Sequence, residues 1–182
     1  MSSRAPRLAL LALLMAAACG TTSSTTAPDA PSSLLGGPRP VQLQIPANLD
    51  PTKRYPLILV LHGYGANGFV QSAYFGVSDR VHRGEVFALA PDGLTDSLGK
   101  QYWNADAACC DFDHKMPDDS SYLAGLIDEA VAHFPIDPKQ VFVIGHSNGA
   151  YMAYRLALDH ADKMAGFVAL AGAADLWTLT GS

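Results

Sequence analysis

Three observations predict an α/β domain built on a mainly parallel sheet. Short continuous apolar runs recur along the chain at Leu57–Leu61, Val86–Ala90, Val141–Ile144 and Gly166–Leu170. They are too short for helices and rich in strand formers, as strands covered on both faces are. Stretches with helical spacing lie between them: Phe69–His82 weakly, Asp119–Phe134 strongly, and Asn148–His160. Turn residues then separate the two kinds of segment, as at Pro91-Asp92-Gly93 and Pro135. Strand and helix in alternation is the signature of parallel pairing through helical crossovers.

The chain begins outside that domain. Arg4 and Arg7 precede an apolar run, Leu8–Ala18. A membrane-spanning helix needs about 20 apolar residues, so this run has the length of a signal-peptide core instead. It ends Ala16-Ala17-Ala18-Cys19-Gly20. Small residues before a cysteine resemble a bacterial lipobox, with Cys19 the lipidation site and a membrane reached through that anchor. Ala16 stands where Leu is usual, and ordinary cleavage near the alanines is the other reading. Both place the protein outside the cell or in its envelope. Residues 19–40 are rich in Thr, Ser, Pro and Gly and poor in large apolar side chains, so a disordered tether is expected. The folded domain is then 41–182.

Val41-Gln42-Leu43-Gln44-Ile45 alternates apolar and polar, as a half-buried strand near a sheet edge does. In Asp119–Phe134, the residues Leu123, Leu126, Ile127, Ala130, Val131 and Phe134 share one face. Asp118, Asp119 or Ser120 can cap its start. Asp92–Pro117 is a long connection without periodicity, and loops of that length in compact domains are often functional.

Composition excludes some roles. With 12 Lys and Arg against 17 Asp and Glu the chain is acidic, a poor electrostatic match for nucleic acid. Three cysteines are too few for a disulfide-built scaffold. No CxxC or His pair points to zinc, and no metal or cofactor is expected.

Gly145-His146-Ser147-Asn148-Gly149 is a G-x-S-x-G. Alone this is a weak signal, because composition produces it in about one chain in ten of this length. Its context strengthens it. A strand precedes it, and a helix with Ala150, Ala153 and Ala157 follows. A nucleophile elbow needs this strand–turn–helix setting, with glycines permitting the sharp turn. Ser147 is therefore the candidate nucleophile, with the following helix N-terminus favouring negative charge beside it. Upstream, His62-Gly63-Tyr64-Gly65 follows the strand Leu57–Leu61. In serine hydrolases one amide from such a loop and the amide after the nucleophile form an oxyanion hole, here Tyr64 and Asn148.

At these residues the chain resembles a family. Leu61–Gly65, Tyr102-Trp103-Asn104-Ala105, Cys109-Cys110, Asp118-Asp119, Leu126-Ile127-Asp128, Val143–Gly149 and Met152–Ala157 are similar to secreted polyhydroxybutyrate depolymerases and feruloyl-esterase-type proteins. The resemblance spans about Val41 to Gly172. It implies an α/β-hydrolase fold and metal-free cleavage of carboxylic esters, in polyester or acylated polysaccharide. It also implies a place for Trp103 near the substrate pocket; packing of Trp103 onto the sheet is the other reading.

An ester-cleaving serine needs a base and an orienting acid, which in this fold follow the serine in the order acid, then histidine. After Ser147 the only histidine is His160, 13 residues on in the same helix, about 20 Å along its axis. Asp175 is a weak candidate acid, and His114 is the one upstream histidine that geometry does not exclude. The triad is incomplete as read, and a C-terminally truncated α/β-hydrolase of impaired activity is expected. A non-catalytic envelope lipoprotein that keeps the fold is the alternative. Cys109 and Cys110 are adjacent: they can pair with each other in a strained vicinal bridge or with a cysteine in the absent C-terminal part.

Overall fold

The computed structural model describes residues 32–107 and 109–173. The expected signal peptide, Cys19 and Asp175 lie outside the described residues.

The chain runs β1 (Leu34–Leu35), β2 (Val41–Gln42), β3 (Tyr55–Leu61), α1 (Gly68–Tyr74), α2 (Val77–His82), β4 (Phe87–Leu89), β5 (Leu94–Thr95) and β6 (Gln101–Tyr102). It continues through α3 (Asp119–His133), β7 (Ile136–His146), α4 (Asn148–Asp159), a short 3-10 turn (Ala161–Lys163) and β8 (Gly166–Leu170). The central sheet has the order β4-β3-β7-β8, and every pairing in it is parallel. All four expected strands are present and adjacent, and β8 is partly exposed.

Side-chain alternation explains the layers. Leu57, Leu59 and Leu61 of β3, Phe87 and Leu89 of β4, and Val141 and Val143 of β7 pack with α3 and α4 on one face. Val60 and Ala88 point the other way, against Val77 and Val81 of α2. Helix α3 buries Leu123, Leu126, Ile127 and Ala130, as its spacing predicts, and Asp118 caps it by accepting the Ser121 N–H at 3.0 Å. Four buried apolar side chains of this size contribute on the order of 1.5–3 kcal/mol each, less for the alanine.

Three expectations need correction. The tether does not extend to residue 40. Leu34–Leu35 pair antiparallel with Val41–Gln42, and Leu35 is 2% exposed. Composition hid this because one leucine and one arginine hold the segment: Leu35 is buried, and Arg39 meets Asp119 at 2.6 Å and lies over the Tyr122 ring. The stretch 69–82 is two helices, because the chain turns at Gly76 with φ 66°. The strand expected over Val41–Ile45 is shorter, and Gln44 instead bridges Ala88 at the sheet edge.

The long connection 92–117 has structure too. It contains the β5–β6 hairpin and a loop that brings the side chains of Cys109 and Cys110 together.

Candidate active site

Ser147 sits where β7 ends and α4 begins, in a backbone conformation (φ 52°, ψ −118°) that L-residues rarely adopt. Neighbours hold it there. The Ser147 N–H donates to Leu170 O at 2.8 Å, tying the turn to the end of β8. The Ser147 carbonyl accepts the first amides of α4, from Ala150 and Tyr151. The flanking glycines are demanded by contact. A Cβ on Gly145 would lie 2.0 Å from Gly149 O, and one on Gly149 would lie 2.3 Å from Leu61 O. The helix therefore packs directly onto the ends of β7 and β3, and the serine is left half-exposed above them.

The loop after β3 comes to the same place. A Cβ on Gly63 would stand 3.4 Å from the Ser147 Cβ. Among the described residues neither the Tyr64 nor the Asn148 main-chain N–H has an acceptor. The two loops thus bring two free amides beside one serine. The start of a 12-residue helix adds the partial positive charge of its N-terminus.

Beneath the loop, His62 is wholly buried and uses both ring nitrogens. Its Nδ1 lies 2.8 Å from Gly63 O, and its Nε2 lies 2.9 Å from the Gly93 N. A carbonyl accepts and an amide donates, so the neutral Nδ1–H tautomer satisfies both. Burial pushes its pKa below the usual imidazole value, against opposing pulls from Gly63, Asp92 and Asp119. His62 is a fastener between two loops.

Trp103 packs inside the domain, the second of its two expected readings. It is wholly buried, its indole N–H donates to His62 O at 3.1 Å, and its ring lies against the His62 ring at 4.9 Å. The aromatic bulk supports the Gly63–Tyr64 loop from below. Its main chain exchanges two hydrogen bonds with the Asn148 side chain.

The other histidines stand apart. His146 packs near Tyr74, 5.9 Å between rings, and beside Gly63. His160 ends α4. His114 is exposed and lines a hollow with Cys109, Cys110 and Phe112. Among the described residues no histidine or carboxylate hydrogen-bonds the Ser147 hydroxyl. Nor, among them, do three His, Cys, Asp or Glu side chains gather as a metal site.

Sequence reasoning missed Asp96. Its carboxylate accepts the Tyr64 hydroxyl at 2.5 Å and the N–H groups of Leu98 and Lys100. The signal was present in Asp96-Ser97-Leu98-Gly99, an Asp opening a turn closed by Gly.

A family model described as phospholipase/carboxylesterase matches residues 48–180, a span holding the elbow and the Gly63–Tyr64 loop. The chain belongs to the phospholipase/carboxylesterase family. Among curated relatives, NocK of Nocardia uniformis subsp. tsuyamanensis, named as an esterase, is 30% identical over 117 residues, covering 64% of this chain and 33% of the relative. A protein of Aspergillus terreus named as feruloyl esterase C is 29% identical over 136 residues, covering 71% and 45%. This chain thus spans between a third and a half of the length of these relatives.

Solved structures agree on the fold of this carboxylesterase-family chain. The Bacillus cereus carboxylesterase superposes with a TM-score of 0.50 at 22% identity, over 70% of this chain and 57% of that one. The acetyl xylan esterase from Aspergillus awamori gives 0.55 at 18%, over 74% and 50%. The architecture is that of the α/β-hydrolases, as the elbow and the parallel strands predicted.

Proposed function

We propose that Ser147 is the nucleophile of an exported carboxylic-ester hydrolase of polyhydroxybutyrate-depolymerase or feruloyl-esterase type. The observation that carries this is the strained Ser147 backbone beside Gly63, with the Tyr64 and Asn148 amides unpaired among the described residues. In the proposed reaction Ser147 Oγ attacks the ester carbonyl carbon as its proton passes to water, which returns a proton to the departing alkoxide. The carbonyl oxygen becomes an oxyanion and accepts the two N–H groups. Collapse expels the alcohol and leaves an acyl-serine, which water cleaves to the free acid. The family relationship and the resemblance to depolymerases and feruloyl esterases support the ester class, and the proposed substrates are polyester or acylated polysaccharide. Lipidation at Cys19 and a place in the cell envelope follow from the lipobox-like leader.

A serine and two amides without a paired base still accelerate ester cleavage, roughly 10³–10⁴-fold over water in serine hydrolases stripped of triad members. A low rate on short acyl esters is therefore expected. A fluorophosphonate probe on the purified protein is the direct test. Labelling that disappears in Ser147→Ala supports the proposal, and equal labelling of the two proteins, or none, overturns it. Partition of the exported protein into detergent, lost in Cys19→Ser, tests the anchor.

A further inference from the structure

Both amides assigned to the oxyanion pocket are tied to the same short stretch of chain, residues 96–103, although they come from loops far apart in sequence. On one side the Tyr64 hydroxyl donates to Asp96 Oδ2 at 2.5 Å, and the Gly65 N–H donates to Gln101 O at 2.8 Å. On the other, Trp103 N–H donates to Asn148 Oδ1 at 2.7 Å, and Asn148 Nδ2 donates to Trp103 O at 2.9 Å. The Asp96 carboxylate is held in its turn: its Oδ1 accepts the N–H groups of Leu98 at 2.9 Å and Lys100 at 2.8 Å. Asp96 is 7% exposed, so little water competes for these bonds.

We propose that the β5–β6 hairpin is the template that sets the spacing of the oxyanion pocket, with Asp96 the positioning residue for Tyr64. This deepens the esterase proposal and rests on its assignment of Tyr64 and Asn148. The physical reason is preorganisation. Two amides stabilise a developing oxyanion only if they already point at it, and a misplacement of about 1 Å costs on the order of a hundredfold in rate. Loops of glycine do not hold such a distance alone. A hydrogen-bonded hairpin gripping both loops does. The Tyr64 ring is also braced from the side by Phe112, edge to face at 5.4 Å. Asp96 acts through Tyr64 and touches no substrate.

The test is hydrolysis of p-nitrophenyl acetate by the full chain. Tyr64→Phe deletes one oxygen and keeps the ring on Phe112. Asp96→Ala deletes the acceptor. Each is expected to lower kcat roughly tenfold to a hundredfold with KM unchanged. Because Asp96→Ala already breaks the Tyr64 link along with the two turn bonds, the double variant is expected to lose no more than Asp96→Ala alone. Asp96→Asn keeps the two turn amides on its oxygen and offers an N–H to the Tyr64 oxygen, so it should rescue most of the rate. Where Asp96→Ala fails to fold, Tyr64→Phe and Asp96→Asn carry the comparison. Rates of Tyr64→Phe within twofold of the parent, losses that multiply in the double variant, or failure of Asp96→Asn to rescue would overturn the template role while leaving the nucleophile intact. Fluorophosphonate labelling that is equal in the parent and in Ser147→Ala removes the esterase proposal itself, and the template with it.

Discussion

The Asn148 side chain forms a closed pair of hydrogen bonds with the Trp103 main chain, accepting its N–H at 2.7 Å and donating to its carbonyl at 2.9 Å. Both residues are fully buried. Replacing Asn148 with Ala orphans two buried main-chain groups. A loss of about 1–3 kcal/mol for each is expected, read from the urea midpoint. Asn148→Asp is the sharper test. Its second oxygen would face the Trp103 carbonyl, acceptor against acceptor, so it should destabilise at least as much as Ala. An Asp variant as stable as the parent would show that the pair contributes nothing.

This pair marks the boundary of what the sequence discloses. The elbow was legible because its requirements are local: a strand, a glycine on each side of x-Ser-x, and a helix. The parallel core was legible because four apolar runs of strand length announce it. The role of the Asn148 side chain was not, since its partner is 45 residues away in a connection with no periodicity. A separation of 80 residues hid the pairing of Arg39 with Asp119, and the burial of Trp103 depends on packing that no local pattern encodes. The 32–40 segment failed for the same reason: a polar stretch becomes ordered when one leucine and one arginine find partners on α3.

Gly149 and Gly125 should respond to alanine in opposite directions. A Cβ at Gly149 meets Leu61 O at 2.3 Å, which forces α4 off the strand ends. A loss of about 1–3 kcal/mol or more is expected, with loss of probe labelling at Ser147. A Cβ at Gly125 on α3 meets nothing within 4 Å. There the gain in helix propensity should stabilise by about 0.5–1 kcal/mol. Thermal melts of the two variants check both signs.

His62 gives stability a pH dependence. Its folded pKa lies below the ordinary 6.5, chiefly through burial, so the folded protein favours the neutral ring. Between that lowered pKa and 6.5 the unfolded chain binds more protons than the folded one. Stability is then full above about pH 6.5 and falls as the pH drops through the folded pKa. Protonation also removes the acceptor for the Gly93 N–H. Urea midpoints across about pH 4.5–7.5 should decline in this window, and the decline should shrink in His62→Gln. A slope identical in both proteins would assign the effect to other groups.

Arg39→Ala tests the ordered start of the domain. Asp119 has no exposed side-chain surface, and its Oδ1 lies 2.6 Å from Arg39 Nη1. Burial raises its pKa, and the Asn104 amide and Arg39 pull it back down. Removing the arginine leaves a carboxylate with one amide partner, at Asn104, and a loss of about 3–5 kcal/mol is expected near neutral pH. With Arg39 gone the carboxyl titrates at still higher pH. The deficit should therefore narrow in acid, where the carboxyl is neutral, and widen as the pH rises. A deficit that does not depend on pH would mean that Arg39 acts only through its packing on Tyr122.

The far edge of the sheet governs handling of the protein. Among the described residues β8 is an edge strand, with Val168 56% and Leu170 43% exposed. Val168 pairs in register with Ile144, and with Phe142 and Phe75 it lines a groove of ≈ 540 Å³. An apolar edge with free main-chain groups pairs readily with another copy, and charge on it discourages that. Val168→Lys places an ammonium at the lip of this groove, where a half-exposed site tolerates it at a cost of about 0.5–1 kcal/mol. The variant should leave more protein in the supernatant after concentration, and light scattering should show smaller particles, while Ser147 labelling is kept. Lys at Gly166, at the start of the same strand and in the same groove, should help less, because no apolar side chain is removed there. Equal sedimentation of Val168→Lys and the parent would place the sticky surface elsewhere.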